Sequence, residues 1–263
     1  MALAIVPTTD LASNPPRVLL TIDTTGYVGN TLEVYRILSG VQTAVRSAET
    51  SPDIADVTWV GYDYECPYGT AVTYQVVVFS GSTSVATATS SSTTLSETSP
   101  WLIHPGDTDL SVELTGLREI GERKRQITQT VQRVIGRSDP VVISDARSGV
   151  ESSLRLGTAT LAEATAAIAI TADGTPLLLN VPPSLLWGVT YEWIAGGELS
   201  ETRVVPQVGA RPNRLFVLPY TVVGRPEGDL LPTRTYADVL TEADSYSTVL
   251  AARATYTALL LGS

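Results

Sequence analysis

The sequence predicts a mainly β protein in which a β-sandwich is followed by a second β-rich (α+β) domain. Short apolar or alternating runs, divided by Gly, Pro and Asn, recur along the chain, and this spacing is typical of antiparallel sandwiches. In the clearest run, residues 72–79, one predicted face carries Tyr74, Val76 and Val78. Helical patterns are few, and they predict one short lateral helix and one C-terminal helix.

The composition limits the classes of protein to which this chain can belong. The chain has 263 residues, enough for two domains that each bury a core. A hydrophobic content of 43% with 17% charged residues indicates a folded chain. Because 17 basic residues stand against 27 acidic ones, the net charge of −10 argues against stable nucleic-acid binding, which needs clustered Lys and Arg.

Other sequence features bear on where in the cell the protein is made and on whether it enters a membrane. No run reaches the roughly 20 apolar residues of a membrane helix, so we expect no membrane insertion. Residues 1–7 carry no basic residue before their apolar part and do not predict a secretory signal, so we expect synthesis in the cytoplasm. Cys66 is the single cysteine, which excludes a disulfide within the chain and a multi-cysteine metal site.

Turn-forming residues divide the chain into five segments. We expect an N-terminal arm at 1–16 that becomes ordered only against a neighbour, and a sandwich at 17–95. A linker rich in Pro and Gly follows at 96–109. The second domain covers 110–226, and residues 227–263 form a connection and the C-terminal helix.

In the second domain, Thr160-Leu161-Ala162-Glu163 is a capping-box pattern that opens a short helix ending near Ala172. Before it, we expect two separate strands, Val141–Ser144 and Leu154–Thr158, on either side of an Arg147-Ser148-Gly149 turn. Arg214–Val223 is predicted as a later strand.

The C-terminal helix is predicted for Thr235–Leu261. Thr235 is a suitable N-cap, and Tyr246 and Leu250 fall on its uneven apolar face. A helix of this kind docks on its own domain or contacts another subunit, and both alternatives stay open.

The order of several motifs resembles the fibronectin type III-like domain that opens many minor tail proteins of phages of actinobacteria. The motifs are Val18-Leu19-Leu20, Leu32-Glu33-Val34-Tyr35-Arg36, Asp63-Tyr64-Glu65-Cys66-Pro67-Tyr68-Gly69, Val72-Thr73-Tyr74 and Trp101-Leu102-Ile103-His104-Pro105. In that family the turn usually has Ala where this chain has Cys66, so one small residue replaces another.

The second half resembles the same family. Its motifs are Gly136-Arg-x-x-Pro140-Val-Val-Ile-x-Asp145-x-Arg147-x-Gly149, Gly174-x-Pro176-Leu-Leu-Leu, Leu218-Pro219-Tyr220 and Thr235-Tyr236-Ala237-Asp238. The resemblance implies a virion structural protein without a cofactor. Such a protein is a subunit of a three-fold or six-fold ring at the tail tip, assembled in the host cytoplasm, and it joins the tail tube to the tip hub.

Within this interpretation, the two domains are expected to have different tasks. Residues 110–263 would build the ring, since their two predicted helices can present different apolar patches to neighbours. Residues 17–95 would project outward. Arg123, Lys124 and Arg125 lie in a charged stretch with acidic residues, which favours a salt-bridged face or a subunit contact over a nucleic-acid site.

A carbohydrate-binding adhesion module that recognises the host cell surface is the main alternative. Tyr62, Tyr64 and Tyr68 cluster in the sequence, and aromatic side chains of this kind serve as contacts for glycans or for protein partners.

A cell-wall glycoside hydrolase is a second, weaker alternative. It is based on two groups of acidic residues that lie close in sequence, of which Asp63 and Glu65 are the ones to substitute in a test: Asp53, Asp56, Asp63 and Glu65, and Asp107 and Asp109. His104 is the only histidine, and no Gly-x-Ser-x-Gly motif accompanies it, which argues against a Ser-His-Asp site. We therefore expect that the protein is not an enzyme and binds no metal.

Overall fold

The computed structural model describes residues 3–49, 51–132, 141–185, 188–203 and 213–226. Met1–Arg225 form one compact unit, to which the following description refers. The predicted C-terminal helix, with Tyr246 and Leu250, lies outside the described residues.

The N-terminal part of the chain forms eight strands: β1 (Ala4–Asp10), β2 (Arg17–Asp23), β3 (Thr31–Leu38), β4 (Val41–Ala44), β5 (Thr58–Asp63), β6 (Ala71–Ser80), β7 (Thr83–Thr89) and β8 (Thr93–Thr94). They make two antiparallel sheets. One has the order β1-β2-β5, and the other has the order β4-β3-β6-β7 with β8 also paired to β6.

These two sheets pack face to face as a sandwich. The buried side chains Val18, Leu20 and Ile22 of β2 join one core with those of β3 and β6. In β6, Tyr74, Val76 and Val78 are buried while their neighbours in sequence are more exposed. The predicted alternation of this strand is confirmed.

The predicted N-terminal arm is wrong for residues Ala4–Asp10. Residues Ala4–Asp10 form β1, which pairs with β2 from Ala4 opposite Asp23 to Asp10 opposite Arg17. Ile5 is buried in the sandwich core, so the segment gains an apolar contact within its own chain. Pro7 is tolerated because β1 is an edge strand.

The remaining described residues of the compact unit form a nine-stranded antiparallel sheet and one α-helix. The elements are β9 (Trp101–Ile103), β10 (Val112–Glu113), β11 (Leu117–Ile120), β12 (Lys124–Gln132), β13 (Val141–Thr158), α1 (Leu161–Ala169), β14 (Leu177–Asn180), β15 (Tyr191–Gly196), β16 (Ser200–Arg203) and β17 (Arg214–Val223). The strand order is β10-β9-β14-β15-β17-β13-β11, with β12 on β13 and β16 on β17.

The predicted linker at 96–109 contains part of this sheet. Trp101, Leu102 and Ile103 are all buried, and their strand β9 pairs with β14 and β10. Their three successive apolar side chains are covered from both sides, because Trp101 and Ile103 join the sandwich core while Leu102 joins the core of the nine-stranded sheet. This segment therefore connects the two halves through packing.

The predicted turn at Arg147–Gly149 is also wrong, since β13 runs without interruption from Val141 to Thr158. The pairing with β12 shifts register on both sides of the pair Ile127–Arg147, so the irregularity is accommodated by bulges. At Gly149 an added Cβ would lie 2.7 Å from the carbonyl oxygen of Val222. The glycine allows a close backbone approach inside a strand rather than a chain reversal.

The structure confirms a mainly β fold and the lateral helix. Helix α1 begins after Thr160, whose hydroxyl accepts a hydrogen bond from the Glu163 N–H at 3.1 Å, and the Glu163 carboxylate accepts one from the Ala159 N–H at 2.7 Å. Ala164 and Ala167 bury one face of the helix against Phe216 of the sheet. In the described part of the chain, no helix is long and apolar enough to cross a membrane.

The cap gives a test of this helix. Thr160→Ala removes the hydroxyl that satisfies a helical N–H, and we expect the free energy of unfolding to fall by about 1 kcal/mol in urea denaturation. Thr165→Ala is the matched control, because the hydroxyl of Thr165 bonds only to the Leu161 carbonyl within the helix. Equal losses for the two variants would contradict the assigned cap.

Candidate functional site

The most unusual site of the described structure is a buried ionic cluster where the sandwich meets the nine-stranded sheet. We call it the junction, and it comprises Arg36, Arg46, Glu49, Asp63, Glu65, Tyr74, Tyr191 and Arg225. The first six come from the sandwich half and the last two from the second half. Buried charges are retained in proteins only when they are paired, so the geometry of each pair matters.

Asp63 and Arg36 form the centre of the junction. Their side chains are 2% and 5% exposed, and the Arg36 Nη1 lies 2.9 Å from both carboxylate oxygens of Asp63. Tyr74 donates its hydroxyl to the same carboxylate at 2.9 Å, and the Glu65 N–H donates to it at 2.9 Å. Both oxygens of Asp63 are therefore satisfied within the protein.

Local strand geometry brings these groups together. Asp63 is the last residue of β5, and in β3 the burial alternates so that Arg36 continues the inward face begun by Leu32 and Val34. Arg36 and Tyr74 are directly opposite each other in the β3–β6 pair. The polar cluster thus forms at the end of the apolar core of the sandwich.

Arg36 also reaches the second half of the chain. Its Nη2 donates to the Tyr191 hydroxyl at 3.2 Å, and its guanidinium lies 5.9 Å from the centre of the Tyr191 ring. Burial is the largest single influence and acts to lower the pKa of Arg36, but the charge of Asp63, the Tyr191 hydroxyl and the hydrogen bonds to Asp63 together outweigh it, so the pKa is raised. Burial raises the pKa of Tyr191 to about 12. Arg36 stays cationic and Tyr191 stays neutral at physiological pH.

A second set of ion pairs surrounds Glu65. Its carboxylate accepts from Arg46 Nε at 2.7 Å and from Arg225 Nε at 2.8 Å. Arg225 follows β17, yet it also contacts the Glu49 carboxylate at 3.3 Å and donates to the Ala44 carbonyl at 3.0 Å. One arginine of the second half therefore makes three contacts with the sandwich half.

Beside the junction, Asn180 forms further hydrogen bonds between the two halves. Asn180 in β14 is fully buried, donates to the Cys66 carbonyl at 2.9 Å and accepts from the Tyr68 N–H at 3.2 Å. The core packing is also shared, because Leu178 and Trp193 of the nine-stranded sheet belong to the sandwich core. The turn before β6 is thus held by the second half of the chain.

Tyr68 is not a glycan contact, contrary to the prediction. Its side chain is 1% exposed and lies in the sandwich core, so a solvent-borne ligand does not reach it. Tyr62 and Tyr64 are half-buried, with the Arg17 guanidinium 4.0 Å and 5.6 Å from their ring centres. Arg17 also donates to the Tyr64 hydroxyl at 2.7 Å. These two tyrosines remain predicted contacts.

The three predicted basic contacts have different surroundings. Arg123 forms a two-pronged pair with Glu192, at 2.9 and 2.6 Å, so its charge is compensated within the chain. Lys124 lies 3.4 Å from Glu122 on the surface, and Arg125 is exposed. The predicted salt-bridged face is present around Arg123 and Lys124. Whether any of the three contacts another subunit stays a prediction.

The residues considered for catalysis have structural partners. Asp63 and Glu65 are neutralised by guanidinium groups in the junction. The Nε2 of His104 lies 2.9 Å from Asp173, and its Nδ1 accepts from the Asp107 N–H at 2.8 Å. Because both ring nitrogens are occupied, His104 has no nitrogen left to activate a nucleophile. In the described ranges no group of three or more His, Cys, Asp or Glu side chains is placed to hold a metal ion.

Sequence reasoning selected the loop that carries Asp63 and Glu65 but missed their partners. A charged residue in phase with Leu32 and Val34 was a possible signal for Arg36. An Asn that follows three leucines was a possible signal for Asn180. Nothing in the sequence places Arg225 near Glu65, because 160 residues separate them.

No protein-family model matches this chain, and no curated protein is significantly similar to it.

The central ion pair can be tested by substitution. Asp63→Asn keeps the volume but leaves the Arg36 charge buried without a counter-ion, so we expect a loss of about 3 to 5 kcal/mol in the free energy of unfolding. Asp10→Asn is the control, because the Asp10–Arg17 pair is partly exposed and should contribute no more than about 1 kcal/mol. A small loss for Asp63→Asn, comparable to that of the control, would contradict the central position of this pair.

Cys66 reports on the integrity of the junction. It is buried, and burial raises the pKa of its thiol to about 12. Since the thiolate is the reactive form, we expect no reaction of the native protein with a thiol-specific dye at pH 8. One equivalent should react after unfolding in guanidinium chloride. Rapid labelling of the native protein would show that this loop opens readily.

Proposed function

We propose that the chain is a virion structural protein, a subunit of a ring at the distal end of a phage tail. The observation that carries the proposal is a two-stranded ribbon, composed of residues 124–132 of β12 and residues 141–150 of β13, that pairs with no other described strand. These strands pair with each other over this stretch, while β17 pairs with β13 only from Glu151 onward.

The ribbon supports assembly for two physical reasons. An isolated two-stranded ribbon is marginally stable in water, and this one extends over roughly 30 Å for the nine residues of β12. Among the described residues, no strand pairs with the outer edge of β12 or with the second edge of residues 141–148 of β13. Unpaired edges of this length are templates for pairing with another chain.

The sandwich supports the fibronectin type III-like assignment. Apart from the two-residue β8, its strands have β2 next to β5 in one sheet and β3 next to β6 in the other. The same adjacency of the second with the fifth strand and the third with the sixth is found in immunoglobulin-like sandwiches, to whose architecture fibronectin type III domains belong. Fold alone carries no function, so this agreement only supports the family resemblance.

Because of the junction, deleting the sandwich is not a suitable test of the proposed function. Removing residues 1–95 would strip the counter-ions from Arg225 and uncover Leu178 and Trp193, so loss of a ring after that deletion would not be informative. The sandwich and the nine-stranded sheet therefore act in the proposed ring as one block, with the ribbon as its assembly element.

Shortening the ribbon is the sharper experiment. Residues 128–146 are replaced by Asn-Gly, which joins the opposed residues Ile127 and Arg147 through a two-residue hairpin turn. We expect the intact chain to form three-fold or six-fold rings by light scattering and electron microscopy, and the shortened chain to be a folded monomer.

The control for this experiment is Leu161→Ser, which changes an exposed apolar residue of α1. It should assemble like the parent chain. An intact chain that stays monomeric at high concentration, or a shortened chain that still forms rings, would refute the assigned role of the ribbon. Absence of the chain from the distal end of purified tails would refute the proposed function itself.

A further inference from the structure

One border of the sandwich is a long strand edge without a partner. β7 pairs with residues 75–80 of β6 and β8 pairs with residues 71 and 72, and only residues 90–92 separate the two strands. They therefore follow β6 as one border of its sheet. Within the described chain no strand pairs with the other side of β7 or β8. We call this border, from Thr83 to Thr94, the open edge.

The backbone of the open edge has polar groups that point away from the sheet. The Ser90 N–H donates to the Tyr74 carbonyl at 2.8 Å, so the backbone of Ser90 faces β6. Because this direction alternates along an antiparallel strand, Ala88 also faces β6, and Thr87 and Thr89 turn their N–H and C=O groups outward. Both threonines are exposed, and no hydrogen bond in the described part of the chain uses these outward groups.

The open edge lacks the features with which proteins usually prevent pairing at an edge. Such features are charged side chains, Pro, and bulges that twist the strand away. Neither a charged residue nor a Pro occurs from Ser80 to Thr94. The bulge at Val85 lies near the hairpin turn and leaves Ala86–Thr89 in regular register with β6. An uncharged, exposed edge of this kind can receive a strand from another chain.

The other described edges are obstructed. β1 contains Pro7, and on β5 the Tyr62 N–H is already bonded to the Ser47 hydroxyl at 3.2 Å. On β4 the Ala44 carbonyl accepts from Arg225 at 3.0 Å. In the nine-stranded sheet, β10 has two residues, and β11 and β16 carry charged side chains. Among the sandwich edges, the open edge is thus the one suited to a partner strand.

We propose that the open edge receives the ribbon of a second copy of this chain. The inference rests on the proposed ring, in which each subunit must offer two different patches, and the ribbon and the open edge are two such patches. Residues 126–132 of β12 are uncharged and rich in β-branched side chains, as are the threonines and the valine of β7. Cross-strand pairs of such side chains stabilise a sheet.

Charge favours this contact over the pairing of one ribbon with another. The strands of the ribbon carry Lys124, Arg125 and Arg147 against a single acid, Asp145. Residues 17–95 carry three basic and seven acidic residues. A positive ribbon is therefore attracted to the sandwich of a neighbour and repelled by a second ribbon. Ribbon-to-ribbon pairing would also be two-fold and would give a dimer in place of a ring.

Cross-linking between two variants of the full-length chain, each with one added cysteine, tests the contact directly. Thr87→Cys lies on the open edge and Thr130→Cys lies on β12, and the buried Cys66 does not compete. After mixing, a short bis-maleimide should link residue 87 of one chain to residue 130 of the other, as identified by peptide mass spectrometry. Thr8→Cys, at an exposed position of β1, is the matched control and should give at least about tenfold fewer links to residue 130.

A proline substitution tests whether the contact uses the backbone. Thr87→Pro removes an outward N–H and places a ring carbon where the incoming strand would bond. We expect the concentration at which half of the chains are assembled to rise at least about tenfold. Cys66 should stay unreactive, which shows that the sandwich is intact. Thr87→Val keeps the N–H and should assemble like the parent chain.

The outcomes separate this contact from the proposed function. Rings of Thr87→Pro at the concentration of the parent chain, or links only between two copies of residue 130, would overturn the contact and leave the ring in place. A parent chain that neither assembles nor gives the link between residues 87 and 130 would refute both. If Thr87→Pro exposed Cys66, the cross-linking result alone would decide.

Discussion

The carboxylate of Asp63 organises the buried ionic cluster at which the two halves of this protein meet. It holds Arg36 and Tyr74 inside the sandwich, and through Arg36 it reaches Tyr191 of the nine-stranded sheet. A buried ion pair is weak as a source of stability, since desolvation offsets most of its attraction. Its effect is directional: the hydrogen bond of Arg36 to Tyr191 and the ion pairs of Arg225 with Glu65 and Glu49 form only when both halves adopt one relative placement.

This constraint suits an assembly protein. A ring closes only if each subunit holds its two contact surfaces at a fixed angle. The parts of the subunit must therefore not rotate against each other. The shared apolar core and the three contacts of Arg225 hold the two halves of the compact unit together. Two domains joined only by a flexible linker would move relative to each other. In the proposed ring, the ribbon continues directly from the part of β13 that is paired with β17.

The sequence predicted local features better than long-range ones. The alternation around Tyr74 and the capping box at Thr160 are short-range signals, and both are confirmed. The segments at 1–16 and 96–109 were wrongly predicted as an arm and a linker, because Pro and Gly residues were interpreted as marking where regular structure ends. In the structure, packing overrides those local signals: Ile5 and Trp101 both lie in the sandwich core. The partners of Asp63 come from distant strands, and no local pattern identifies them.

Native-state hydrogen exchange tests most directly whether the halves form one unit. The amides of β6 in the sandwich and of β14 in the nine-stranded sheet should exchange with the same largest free energy of opening, and with the same dependence on denaturant. That result is expected because the junction and the core of the compact unit are disrupted together. If β14 opened at a clearly lower free energy while β6 stayed protected, the halves would be independent domains and the account would be wrong.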